Sequence, residues 1–192
     1  MVNEVATGLL HTHTALGIIP IGSGNGFARH LELPLRVQNA IELINNSEPI
    51  VVDSATVENI PFFTTCGTGF DAHISEEFAN AGKRGFVTYL KHIVSDFFSY
   101  KSQKYIIESK EKSLEVDAFL VTCANANQWG NAAYIAPRAS VQDGLLDITV
   151  LSPFPLKAIP GLAWKLFEKN IDESLYITTW KAADVTIIRE AD

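Results

Sequence analysis

The pattern of apolar and polar positions changes character near residue 49. Before that point it predicts a helix over residues 1–12, a buried strand at Leu16–Ile21, a Gly-rich turn, a short helix from Phe27 and a second helix over 37–44. This order is typical of an α/β layer. A single strand cannot form a sheet by itself, so these residues are expected to belong to a larger unit.

Beyond residue 49, short β-rich segments predominate, and the turn Glu58-Asn59 separates the first two. Strands are predicted at 50–57, 61–66, 104–109, 114–124, 133–135, 145–151, 175–179 and 185–188, and helices at 85–100 and 155–167. Many strands with few intervening helices favour an antiparallel sandwich or barrel. We therefore expect an α+β chain, in which a mostly antiparallel β-sandwich over 49–192 follows an α/β remnant over 1–48.

Charge and composition narrow the function classes. The formal charge of −7 argues against a nucleic-acid partner, because phosphate backbones require clustered Lys and Arg. It also predicts that any membrane contact is local and apolar. Cys66 and Cys123 stand apart in apolar segments, which indicates buried reduced thiols and a cytoplasmic location.

The segment Gly22-Ser23-Gly24-Asn25-Gly26 has the character of a phosphate-binding turn. Glycines let backbone N–H groups approach an anion, Ser23 adds a hydroxyl donor and Asn25 can cap the following helix. The same turn can also be purely structural. A Walker A loop is excluded because no Gly-Lys-Ser/Thr follows. A dinucleotide fold is disfavoured because Gly26 breaks the expected spacing and Asp53 lies beyond the usual offset of about 20 residues.

Four motifs in a fixed order are more specific than any one of them. They are Val2-Asn3-Glu4-Val5, Pro20-Ile21-Gly22-Ser23-Gly24-Asn25-Gly26-Phe27-Ala28-Arg29, Gly67-Thr68-Gly69-Phe70-Asp71-Ala72, and the segment from Ala136-Pro137 to Gln142-Asp143-Gly144-Leu145-Leu146-Asp147. Together they resemble the catalytic region of the diacylglycerol kinase and sphingosine kinase superfamily, closest to its bacterial soluble lipid-kinase branch.

The resemblance implies an ATP-binding α/β domain and a lipid-binding β-sandwich domain, with catalysis in the cleft between them. Residues 1–48 would be the remnant of the nucleotide-binding domain and 49–192 the lipid-binding domain. Carried over by motif, the residues beside the nucleotide are Glu4, Gly22, Ser23, Gly24 and Asn25.

The resemblance also implies a Mg²⁺ ligand at Asp143, with the carbonyls of Ser140 and Leu145 completing the protein contribution. Mg²⁺ prefers oxygen donors and commonly takes one carboxylate with water in other positions. The alternative for Asp143-Gly144 is a plain turn, which this dipeptide forms readily. Asp147 alternates with apolar neighbours and is expected to face solvent.

Three further residues are candidates for a phosphate or lipid cleft. Lys83 and Arg84 lie where family members often place a basic group, although solvated loop charges are the alternative. Asp71 either lies at the cleft or caps a turn.

Two family motifs are missing. Met1 stands where the Thr of a Gly-Gly-Asp-Gly-Thr motif is expected, and the Asp-Gly-Glu that would supply the general base is expected beyond Asp192. No catalytic residue is therefore assigned in the chain. We expect a chain that is truncated at both ends and has little or no kinase activity alone.

The sequence thus predicts a fragment of an ATP- and Mg²⁺-dependent kinase that phosphorylates a lipid hydroxyl, with a diacylglycerol-like lipid as the leading substrate. Its expected partners are ATP, the lipid, transiently a membrane surface at the periphery, and a second copy in a homodimer. The alternatives are a non-catalytic lipid-binding module and a kinase of the NAD type.

Overall fold

The computed structural model describes residues 1–70, 72 and 100–189. The described α-helices are α1 (Val2–Leu9), α2 (Gly26–His30), α3 (Val37–Asn46) and α4 (Ile159–Phe167). All four fall where the apolar periodicity predicts a helix. The predicted helix over 85–100 lies outside the described residues, apart from its last position. Within the described residues, no helix is long and apolar enough to cross a bilayer.

The described strands are short. They are β1 (Ala55–Val57), β2 (Ile60–Phe62), β3 (Thr65–Gly69), β4 (Gln103–Glu108), β5 (Ser113–Ala118), β6 (Leu120–Ala124), β7 (Leu146–Leu151), β8 (Ile177–Ala182) and β9 (Thr186–Arg189). β1 and β2 form a hairpin whose turn residues, Glu58 and Asn59, both have positive φ. This matches the turn predicted between them, because two-residue hairpin turns favour that backbone region.

Two antiparallel sheets form the sandwich. One has the strand order β3-β6-β7-β8 and the other β5-β4-β9. Their facing sides share one apolar core, which contains Tyr105 and Ile107 from β4 and Val121, Ile148 and Val150 from the larger sheet. The expected α+β fold with a mostly antiparallel β-sandwich is confirmed.

The larger sheet is covered on its other face as well. A second core, centred on Phe70 and Phe119, includes apolar residues of the connection after β6 and the partly buried Leu166 of α4. Because both faces are covered, every residue of β6 is buried. That explains its mostly apolar pattern, which Thr122 alone interrupts.

Several predicted strands differ from the structure, and the one predicted over 61–66 covers parts of β2 and β3, which lie in different sheets. The Leu16–Ile21 segment is not a strand, because its backbone pairs with no strand among the described residues, and Ile21 is exposed. The single strand predicted over 114–124 is two strands in different sheets, divided at Phe119, whose N–H donates to Leu151 O (2.7 Å). Residues 133–135 contribute only an isolated bridge between Gly130 and Ala133.

The two cysteines, distant in sequence, are neighbours in space. Cys66 of β3 lies directly opposite Cys123 of β6 in the ladder, and no disulfide joins them. A hydrogen bond with Cys66 and burial together raise the pKa of the Cys123 thiol far above its usual range. Cys123 is therefore held as a protonated, unreactive thiol.

Ile148 tests the shared core. It is 0% exposed on a central strand, so Ile148→Ala should lower the free energy of unfolding by about 2–5 kcal/mol in urea denaturation. Ile188→Ala is the matched control, because that side chain is 46% exposed on the edge strand β9. Equal losses for the two variants would contradict the core assignment.

Candidate functional site

The Gly-rich turn is anchored by its own Asn25. Asn25 occupies the N-cap position of α2 in the left-handed region, and its Nδ2 donates to Pro20 O (3.1 Å). Asn25 is thus at the predicted N-cap position, but its side chain makes no cap hydrogen bond to α2. The side chain instead closes the turn on the residues that precede it.

The turn packs against a loop of the sandwich without intervening side chains. Asn131 N donates to Gly24 O (3.0 Å). A Cβ added at Gly26 would lie 3.2 Å from both Cα and N of Gly130 and 3.3 Å from Trp129 O. A side chain at residue 26 would require the Gly130 backbone to move by a few tenths of an ångström, because two backbones meet there.

Buried amides hold that loop in shape. Gln128 is 1% exposed, and its Oε1 accepts the N–H of Ala132 (3.2 Å) while its Nε2 donates to Asn127 Oδ1 (3.3 Å). Asn127 N in turn donates to His30 Nδ1 at the end of α2 (3.1 Å). The Gly-rich turn and α2 are thus fixed to the same loop.

The Asp143 loop has the geometry of an Asx turn. Leu145 N donates to Asp143 Oδ1 (3.1 Å), and Gly144 has φ +69. Ser140 makes a similar bond, because its Oγ accepts the N–H of Gln142 (3.2 Å). The turn interpretation of Asp143-Gly144 is therefore correct for the backbone, and the role of Asp143 as a Mg²⁺ ligand stays a prediction.

Asp53 connects this loop to the first part of the chain, and sequence reasoning missed it. Its Oδ2 accepts the N–H of Gly144 (2.8 Å), and its own N–H donates to Val141 O (2.6 Å). Asn125 Nδ2 donates to Asp53 O (3.0 Å) and to Phe63 O (2.9 Å). No local pattern signals this contact, because Asp53 and Gly144 are 91 positions apart.

Asp147 does not face solvent as expected. It is 7% exposed, it lies directly opposite Lys181 in the β7–β8 ladder, and its Oδ2 is 2.6 Å from Lys181 Nζ. The prediction was wrong because apolar alternation does not reveal a partner on the neighbouring strand. Lys181 Nζ also lies 2.9 Å from Asp143 Oδ2 and donates to Arg138 O (3.3 Å).

In this cluster, burial and ion pairing shift the pKa of each group in opposite directions. Burial raises the pKa of Asp147, which outweighs the lowering by the Lys181 hydrogen bond. Burial lowers the pKa of Lys181, but its hydrogen bonds to Asp147 and Asp143 outweigh that effect, and the net shift is upward. We conclude that Lys181 is an ammonium ion between two acidic side chains.

The donors around Asp143 fit Mg²⁺ in kind, since they are a carboxylate and backbone carbonyls. They do not form a multidentate acidic cage. The described ranges contain no group of three or more His, Cys, Asp and Glu side chains able to hold a metal. The Asp143 carboxylate is shared with Lys181, so a Mg²⁺ ion would meet a cation already in contact with its ligand.

The other predicted site residues are placed as follows. Glu4 lies in the first turn of α1, is exposed, and pairs with the Met1 ammonium, which lowers the pKa of Glu4. α1 and α2 contribute Ala6 and Phe27 to one apolar cluster, so both helices pack together with part of the sandwich. The three cleft candidates, Asp71, Lys83 and Arg84, lie outside the described residues.

The connection between β6 and β7, residues 125–145, contacts the Gly-rich turn and itself contains the Asp143 loop. Its Gly130–Asn131 part touches the Gly-rich turn, and its Val141–Gly144 part binds Asp53. That the turn and Asp143 face one nucleotide stays a prediction.

Residues 64–191 match the family model of the YegS C-terminal NAD kinase beta sandwich-like domain. Residues 1–57 match the Diacylglycerol kinase catalytic domain. The chain belongs to the diacylglycerol kinase and YegS family of lipid kinases. The resemblance carried by the four ordered motifs is confirmed.

Individual members of the lipid kinase family support this assignment. A Yersinia pestis (strain Pestoides F) protein described as "Probable lipid kinase YegS-like" is 28% identical over 96% of this chain and 64% of its own length. A solved Bacillus anthracis str. Sterne structure, described as "A putative diacylglycerol kinase", has a TM-score of 0.73 at 26% identity, covering 99% of this chain and 64% of that one. The chain therefore spans about 64% of the length of the relatives it matches.

Gly26→Ala tests the contact between the turn and the sandwich. The added methyl would meet the Gly130 backbone, so we expect a loss of about 1–3 kcal/mol in the free energy of unfolding. Gly161→Ala in α4 is the control, because its Cβ would have nothing within 4 Å. Urea denaturation of both variants measures the difference. A Gly26→Ala protein as stable as the control would refute the close packing.

Proposed function

We propose that the protein carrying this chain is an ATP-dependent kinase that phosphorylates the hydroxyl of a lipid, with a diacylglycerol-like lipid as the leading substrate. Membership of the lipid kinase family is the observation that carries the proposal. The Gly-rich turn supports it, because packing on the sandwich fixes the position of the turn while Gly22 and Ser23 stay exposed.

The proposed nucleotide-binding residues are the exposed side of that turn and the start of α1. Gly22 and Ser23 are exposed, and Gly24 and Asn25 are half-buried. With no side chain at Gly22 or Gly24, backbone N–H groups and the Ser23 hydroxyl are accessible to phosphate oxygens. Glu4, exposed on α1, is the proposed acidic neighbour of the nucleotide.

Mg²⁺ is the proposed cofactor, and Asp143 with the carbonyls of Ser140 and Leu145 would hold it. When bound, the ion supplies positive charge that neutralises phosphate oxygens during transfer. The chain's own contribution is positional. Asp53 and the Asn125 carboxamide hold the Asp143 loop, and a phosphoryl transfer depends mainly on such positioning.

The remaining proposals concern the acceptor side. Asp71, Lys83 and Arg84 are proposed to line the phosphate and lipid cleft, and the general base is proposed to come from an Asp-Gly-Glu motif beyond Asp192. We propose a cytoplasmic protein that contacts a membrane surface transiently to reach its lipid. A homodimer is also proposed.

Transfer of labelled phosphate from ATP to diacylglycerol in mixed micelles tests the function. We expect phosphatidic acid from the protein carrying this chain, and at least about a tenfold lower kcat/KM for Asp143→Asn, which corresponds to ~1.4 kcal/mol. Asp184→Asn, an exposed loop carboxylate, is the control and should retain full activity. The 192-residue chain alone is expected to show little or no turnover.

Two results would decide against this function. Lipid binding without ATP binding, measured by nucleotide titration, would favour the non-catalytic lipid-binding module. Phosphorylation of NAD in place of diacylglycerol would favour the NAD-type kinase.

A further inference from the structure

The Lys181 ammonium occupies a cation site that oxygen atoms of the chain form. Its Nζ lies 2.6 Å from Asp147 Oδ2, 2.9 Å from Asp143 Oδ2 and 3.3 Å from Arg138 O. All three neighbours are oxygens, two of them from carboxylates. An ammonium group has three N–H donors, and here each has an oxygen acceptor.

The acceptors belong to different elements. Asp147 lies on β7 and Lys181 opposite it on β8, whereas Asp143 and Arg138 lie in the β6–β7 connection. Lys181 therefore ties the Asp143 loop to the edge of the larger sheet. Another basic group of this region, Arg138, directs its Nε to Asp172 (2.8 Å).

We propose that the Lys181 ammonium is an internal competitor for the cation at Asp143, so that Mg²⁺ gains this carboxylate only by displacing Lys181. The inference rests on the proposed function, because it takes Asp143 as the Mg²⁺ ligand. It assigns to Lys181 the role of setting how tightly the chain binds the ion.

The two carboxylates make such an exchange feasible. If the ammonium leaves Asp143, it keeps its shorter contact with Asp147, and the buried Asp147 carboxylate is not left without a partner. Breaking a buried pair outright is costly, but this exchange does not require it. The Lys181 side chain is 34% exposed on a flexible stem, so it has room to move.

The charge balance gives the direction of the effect. Two carboxylates face one ammonium, so removing the ammonium leaves both negative charges available to a divalent cation. Removing Asp147 has the opposite effect, because Lys181 then has Asp143 as its one remaining carboxylate partner and holds it more firmly.

Mg²⁺ titration of the 192-residue chain, without ATP or lipid, tests the competition. Isothermal calorimetry should show at least about tenfold tighter Mg²⁺ binding for Lys181→Met than for the wild type, since each tenfold equals ~1.4 kcal/mol. Asp147→Asn should bind Mg²⁺ more weakly than the wild type. Lys181→Arg keeps the positive charge and should bind no tighter than the wild type.

Lys165→Met is the matched control. Lys165 is also paired with a carboxylate, 3.7 Å from Glu173, and its side chain is 33% exposed, close to that of Lys181. This variant should leave Mg²⁺ affinity unchanged. Circular dichroism verifies folding, and if Lys181→Met does not fold, the near-isosteric Asp147→Asn still gives the opposite shift.

The proposal is overturned if Lys181→Met binds Mg²⁺ no tighter than the wild type, or if none of these proteins binds Mg²⁺ at millimolar concentration. Because the readout needs neither ATP nor lipid, its failure is distinguishable from failure of the kinase assay. A competition seen in a protein without lipid kinase activity would support the Lys181 inference and reject the proposed function alone.

Discussion

The placement of the candidate site depends on one buried carboxamide. Asn125 is 1% exposed, and its Nδ2 satisfies the carbonyls of Asp53 and Phe63 while its backbone N–H donates to Thr64 O. Buried carbonyls without a donor cost about 1–3 kcal/mol each, so this side chain is not exchangeable for an apolar one. Asp53 in turn accepts the N–H of Gly144. Asn125 therefore fixes the position of the Asp143 loop through Asp53.

The site is built on a single connection of the sandwich. β6 and β7 are antiparallel neighbours, and a short hairpin would suffice to join them, yet residues 125–145 lie between them. Ordered connections of more than about 12–15 residues commonly carry function. Here one segment supports the Gly-rich turn at one part and the Asp143 loop at another, with both sheet faces covered beneath it.

Local patterns predicted what local forces determine. The helices at Val2–Leu9 and Val37–Asn46 and the Glu58-Asn59 turn follow from periodicity and turn chemistry. The Leu16–Ile21 strand failed because a strand needs a partner that no short window reveals. Asp53 and Asp147 were missed for the same reason, since both act through residues far away in the chain. The family motifs located the candidate loops, but not the contacts that hold them.

The opposition of Asp147 and Lys181 across β7 and β8 also restricts how the sequence can diverge. Replacing Lys181 alone would leave the buried Asp147 carboxylate without its ammonium partner, whereas replacing Asp147 and Lys181 together by apolar side chains of similar volume would not. Descendants of this chain should therefore vary the two positions in concert. In a lineage that has lost the lysine, a divalent cation from solution would have to balance the charge of Asp143.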